Sequence, residues 1–65
     1  MLNGFDFYME YRNSLDSMYN GRYILIVNRK VAGVYDDQVM AYHEALKRYQ
    51  PYSFWIQYCE ASYLA

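Results

Sequence analysis

One cysteine, one histidine and one proline are all that 65 residues supply of the side chains that staple, ligate or interrupt a small fold. The single cysteine, Cys59, excludes an internal disulfide. The single histidine, His43, leaves a closed zinc site without its usual thiolate and imidazole set, so no metal and no cofactor is expected. Long apolar runs are missing too. The longest strictly apolar run is Tyr23-Ile24-Leu25-Ile26-Val27, far short of the ~20 residues a membrane-spanning helix needs. No charge excess exists: six basic residues meet seven acidic ones, for a net charge of -1. That balance argues against a polycationic nucleic-acid binder. Residues 1–6 carry neither the basic start nor the apolar core of a secretion signal, so a cytoplasmic protein is expected, where a lone free thiol is at home.

What the chain has is apolar and aromatic surface. Hydrophobic residues make up 55% of it, with ten Tyr, three Phe and one Trp. That excludes a disordered chain, which is poor in such residues and high in net charge. The length fits one domain, residues 1–65. A domain this small buries only roughly 60% of the surface of its unfolded chain. Such scaffolds lean on disulfides, a metal or an oligomer interface. With the first two set aside, self-association is expected, a dimer first.

Residues 5–19 read as an amphipathic helix, with Phe5, Tyr8, Tyr11 (or Arg12), Leu15 and Met18 on one face. Asp6, Glu10, Arg12, Asn13 and Asp16 fall mostly on the other. Asn3 or Asp6 is the expected cap, and Asn20-Gly21 the stop. Residues 22–28 read as a strand apolar on both sides, hence central in its sheet with both faces covered. Asn28-Arg29-Lys30 is a tight polar turn, and residues 31–35 return as a second strand. Gly33 inside that strand predicts a bulge or a close backbone approach. Asp36 and Asp37 open a second helix, one as N-cap. Val39, Tyr42, Ala45, Leu46 and Tyr49 share its expected inner face, and Glu44 pairs with Arg48 outside. Gln50-Pro51 stops it. Residues 52–59 form a third strand, with Phe54, Ile56 and Tyr58 on one side and Trp55, Gln57 and Cys59 on the other. Tyr63 and Leu64 are candidates to dock the tail.

The fold class is therefore α+β, in the order α-β-β-α-β. A helical crossover makes the second and third strands parallel, with the apolar first strand between them and antiparallel to both. The expected three-stranded antiparallel sheet has order 2-1-3 and packs against two helices. With both helices on one face, the other face of the first strand would lie bare, and exposed apolar surface of that kind marks an interface.

Four segments carry a resemblance: Tyr19-Asn20-Gly21-Arg22, Val31-Ala32-Gly33-Val34-Tyr35-Asp36, Ala41-Tyr42-His43-Glu44-Ala45 and Phe54-Trp55-Ile56-Gln57-Tyr58-Cys59. Together they resemble a family of small bacterial domains of unknown function, in which Lys usually stands where this chain has Arg22. The resemblance implies a compact β-β-α-β unit behind an extra N-terminal helix. It implies no activity and no catalytic residues, and it suggests a small protein of bacterial or mobile-element genomes.

Few residues could carry chemistry. Cys59 and His43 are the only nucleophile and base on offer. They lie on a strand and mid-helix, with no glycine elbow or oxyanion loop between them. Asp36-Asp37 lacks the further ligands a cation needs, so capping is its plain reading. Neither GxGxxG nor GxxxxGK[ST] is present. Arg22, Arg29 and Lys30 beside tyrosines could contact single-stranded nucleic acid, but no RNP pattern accompanies them. Core packing accounts for many tyrosines. A small core cannot hold all the aromatic rings, however, and Tyr and Trp suit interfaces by combining area with a polar handle. The expected function is a non-enzymatic protein–protein interaction module, such as a small phage- or mobile-element-encoded inhibitor or adaptor of a larger bacterial protein. Its expected contacts are Trp55, Tyr58, Tyr52, Tyr11 and Tyr8, with Arg29 and Lys30 as rim charges. The alternative use of the same rings is to sequester a nucleotide-like small molecule at a homo-oligomer interface.

Overall fold

In a computed structural model, residues 4–61 are described; the Asn3 cap and the docking of Tyr63 and Leu64 lie outside them. The elements are α1 (Phe5–Glu10), α2 (Arg12–Met18), β1 (Tyr23–Val27), β2 (Lys30–Tyr35), α3 (Gln38–Arg48) and β3 (Trp55–Tyr58). The strands form one antiparallel sheet of order β2-β1-β3, as the patterning predicts.

β1 sits in the middle because it is the one strand apolar at every position. Ile24, Leu25 and Ile26 are essentially inaccessible and Val27 is buried. Alternate residues point to opposite faces of a strand, and each face has its own core. Ile24 and Ile26 pack with Tyr8, Leu15 and Cys59, under α1 and α2. Leu25 and Val27 pack with Ala45 and Phe54, under α3. The helices therefore cover opposite faces. The bare sheet face expected from one-sided packing does not exist, because a strand apolar on both sides needs a cover on each.

The β1–β2 connection is a two-residue turn with Asn28 and Arg29 at φ 53 and 59, the primed geometry that matches strand twist. Asn tolerates that conformation, whereas Arg rarely adopts it. Gly33 pairs with Leu25 and Val31 with Ile26, so Ala32 is the extra residue of a bulge. Tyr35 turns its ring back over the space beside Gly33.

Several local expectations need correction. The first helix is not continuous: Tyr11, at φ -114 and ψ 26, separates α1 from α2. Its hydrogen bonds run on through the break, from Tyr11 N to Phe7 O and from Leu15 N to Tyr11 O. The break changes which residues face inward. Tyr8 and Leu15 are buried as expected, but Asp16 is buried with them, while Phe5, Tyr11 and Met18 are exposed. Gly4, not Asp6, is the N-cap. α3 has Asp37 as its cap, accepting from Met40 N at 2.8 Å. Its inner face is Ala41 and Ala45, both fully buried; Val39, Tyr42 and Leu46 are exposed. Two alanines one turn apart let the helix axis approach the sheet closely, which pushes the larger side chains to the flanks. Glu44 pairs with Lys47 at 3.1 Å rather than with Arg48. β3 begins only at Trp55, since a turn occupies residues 50–53, closed by Ser53 N donating to Gln50 O.

A Cβ on Gly33 would lie 2.6 Å from the Tyr35 hydroxyl oxygen and 2.8 Å from its ring. Gly33→Ala should therefore lower stability by about 1–3 kcal/mol in urea unfolding. In a Tyr35→Ala background the same substitution should cost little, and the coupling of the two changes measures the contact.

Candidate interaction surface

The most concentrated polar chemistry is buried, not exposed. The Tyr8 hydroxyl donates to both Asp16 oxygens, at 2.9 and 3.1 Å, and Asp16 is 1% exposed. In a straight helix these residues would stand about 12 Å apart along the axis, and the Tyr8 side chain would lean toward the N-terminus, away from Asp16. The break at Tyr11 re-aims the two segments so that they meet. Arg12 Nε lies 3.7 Å from Asp16 across one helical turn, and the Cys59 thiol borders the same carboxylate. Among the described residues no buried side-chain nitrogen or oxygen lacks a hydrogen-bond partner.

This environment suppresses reactivity. Burial, then the hydrogen bond and negative charge of Asp16, pushes the Tyr8 phenol up to about 12. Burial and the same charge push the Cys59 thiol up to about 12. The nucleophile in cysteine chemistry is the thiolate, which forms beside cations and helix N-termini; Cys59 has a carboxylate instead. His43 is exposed on α3, across the sheet from Cys59. Asp37 is spent on its cap and Asp36 pairs with Arg22 at 3.1 Å. Among the described residues, no group of three or more His, Cys, Asp or Glu is placed to hold a metal, and no helix is long and apolar enough to cross a membrane.

The seven residues singled out from the sequence do not form one patch. Tyr8 belongs to the core. Tyr11 is exposed, its ring 5.2 Å from that of Phe7. Arg29 is turned inward on its own chain: it pairs with Glu10, lies 3.5 Å from Asp6 and stacks 5.4 Å above the Phe7 ring. The hydrogen bond it donates to Glu10 leads the causes that hold its guanidinium above its usual pKa. Lys30 is exposed at the start of β2. Tyr58 stands on edge strand β3 with its ring 5.0 Å from Tyr23. Trp55 is half-buried against Phe5, ring centroids 5.3 Å apart, and its Nε1 donates to Gln57.

Tyr11 and Arg29 meet around the Phe7 ring, and Tyr52 and Trp55 come together in a groove of about 260 Å³ lined with Tyr42, Pro51 and Phe54. Tyr42 meets Phe54 edge to face at 6.1 Å. Tyr42 and the exposed Val39, Met40 and Leu46 of α3 are the surface residues that sequence reasoning missed, while Phe54 closes the groove from the core. The signal that could have found them is the Ala41/Ala45 pair, which marks the inner face. Tyr52 is the sharpest feature of the groove. It is 86% exposed and holds φ 70, as third residue of a turn with Pro51 second. That position requires positive φ and favours Gly or Asn. No protein-family model, curated protein or solved structure matches the chain.

The two raised pKa values set an alkaline limit. A neutral thiol and phenol are favoured in the folded state, so the folded protein binds more protons than the unfolded chain once pH exceeds the thiol's ordinary 9.0. Stability should be full below about pH 9 and fall as pH rises toward 12. By pH 10.5 the loss should reach about 3 kcal/mol, about two thirds of it from the thiol, read as a fall in the urea midpoint. Cys59→Ala should flatten most of that slope.

Proposed function

We propose that this protein is a non-enzymatic interaction module that binds a larger protein through the groove formed by Tyr42, Pro51, Tyr52, Phe54 and Trp55. The observation that carries the reading is Tyr52. A left-handed conformation costs an ordinary residue roughly 1–2 kcal/mol, and here it holds in place a ring that is almost wholly in solvent. The turn that Tyr52 closes, with Ser53 N donating to Gln50 O, would accept Gly or Asn in its place, so a strained tyrosine there belongs with residues kept for contact. The groove's chemistry agrees, since Tyr, Trp and Phe beside an exposed apolar surface are the makings of a binding hot spot. Its ≈260 Å³ falls below the ~300–1,000 Å³ of pockets that enclose small ligands, which favours a protein partner over a nucleotide-like molecule. The inert state of Cys59 and Tyr8 speaks against catalysis. A role as a small inhibitor or adaptor fits these properties.

Tyr52→Gly tests the reading with two opposed outcomes. The variant should gain about 1 kcal/mol in urea unfolding as the strain is relieved. It should also lose at least tenfold in affinity for the protein that the wild-type chain retains from its host, measured with the purified pair. A variant that is more stable and binds equally well would remove Tyr52 from function.

A further inference from the structure

The outer edge of β3 carries backbone groups that the described residues leave unpaired. Cys59 N donates to Arg22 O at 2.9 Å, so these two residues form a hydrogen-bonded pair at the end of the β1–β3 ladder. Bonded pairs alternate with non-bonded ones along antiparallel strands. Gln57 and Trp55 therefore turn their backbone groups to β1, opposite Ile24 and Ile26, while Ile56 and Tyr58 turn theirs outward. β3 is the last strand on its side of the sheet. Tyr58 O accepts from the Gln57 side-chain amide at 3.0 Å and keeps a second acceptor site. The two edges of the sheet are not alike. Monomeric proteins blunt an edge with charge, proline or a bulge. β2 has the bulge at Ala32 and the charge of Lys30. β3 runs in unbroken register with β1, and no charged residue stands between Pro51 and Cys59. What such an edge accepts is an extended backbone.

The sequence of β3 is complementary to its own reverse. Two β3 strands laid antiparallel about a two-fold axis at Ile56 set Ile56 against Ile56, and each exchanges its N–H and C=O with the other. Tyr58 of each strand comes opposite Phe54 of its mate, so the Tyr58 N–H gains a carbonyl. Trp55 comes opposite Gln57, and these two side chains already bond within one chain, Trp55 Nε1 donating to Gln57 Oε1 at 2.9 Å. No like charges meet. We propose that β3 pairs with β3 of a second copy, so that two chains share one six-stranded antiparallel sheet of order β2-β1-β3-β3-β1-β2. The contact is isologous and closes at two chains. It uses up the edge that would otherwise recruit further strands, and it supplies the oligomer interface on which scaffolds of this size lean. The inference goes beyond the groove: it rests on the backbone of residues 54–58 and not on the reading of Tyr52.

Sedimentation velocity and amide exchange followed by NMR test it on the unmodified chain. The chain should sediment at twice its 7.9 kDa and dissociate on dilution. The Ile56 and Tyr58 amides should exchange at least tenfold more slowly in the dimer than after dilution to the monomer. Ile56→Pro removes an outward N–H and no bond to β1, a change that an edge strand tolerates. It should weaken association at least tenfold and keep the wild-type circular dichroism. A wild type that stays monomeric up to about 1 mM chain would overturn the proposal. So would a dimer whose Ile56 and Tyr58 amides exchange as fast as those of the monomer, or an Ile56→Pro variant that keeps both its fold and its dimer. Should that variant fail to fold, the exchange of the two wild-type amides decides alone.

Discussion

Four consecutive residues, Ile24 to Val27, must leave water on both sides of a single strand, and the architecture is the answer to that demand. A strand buried on both faces needs a neighbour on each edge and a cover on each face. β2 and β3 supply the edges; α1 with α2, and α3, supply the covers. In a chain of 65 residues this leaves two thin cores instead of one thick one. Thin cores have room for Ala41, Ala45, Leu15 and one or two rings apiece. They cannot take in the remaining aromatic and apolar side chains, which stay at the surface as a consequence of the layering.

The same thinness explains the buried polar group. The α1–α2 layer is broken at Tyr11, and the break brings Asp16 inside, where the Tyr8 hydroxyl satisfies it. A buried carboxylate is tolerated when hydrogen-bonded, and it ties two short helices to each other and to the end of β3 at Cys59. Arg29 provides a second tie across the surface, from the hairpin turn to Asp6 and Glu10. Fixing these helices also sets the Cys59 thiol beside the Asp16 carboxylate, which favours its neutral form.

Much of the fold was legible because its signals are local and strong. The continuous apolar run of β1, the polar turn at Asn28, the glycine beside the bulge and the Asp37 cap each follow from one stretch of chain. Sheet order follows from the crossover through α3. The faces of the helices were not legible by the same means. In α3 the large residues Val39, Tyr42 and Leu46 share a helical face that looks like a core stripe, and the small residues that pack against the sheet draw no attention by hydrophobicity. In the first helix, period counting assumes an unbroken cylinder, and the change at Tyr11 carries Asp16 inward. The candidate surface inherited both errors. Tyr8 was counted as a contact and is core, while Tyr42 was assigned to the core and lines the groove. Tyr52 was legible as an aromatic next to Pro51, but its left-handed backbone belongs to the folded turn alone.

The account rests on β1 being covered on both sides, and unfolding of two single variants tests that directly. Leu25 faces α3 and Ile26 faces α1 and α2. The urea unfolding free energy of Leu25→Ala and of Ile26→Ala should fall by similar amounts, about 2–5 kcal/mol each, in a single transition for both. If either substitution lowers it by less than about 1 kcal/mol, one face of the strand lies open to solvent. The two-core architecture, and the surplus of surface side chains derived from it, would then be wrong.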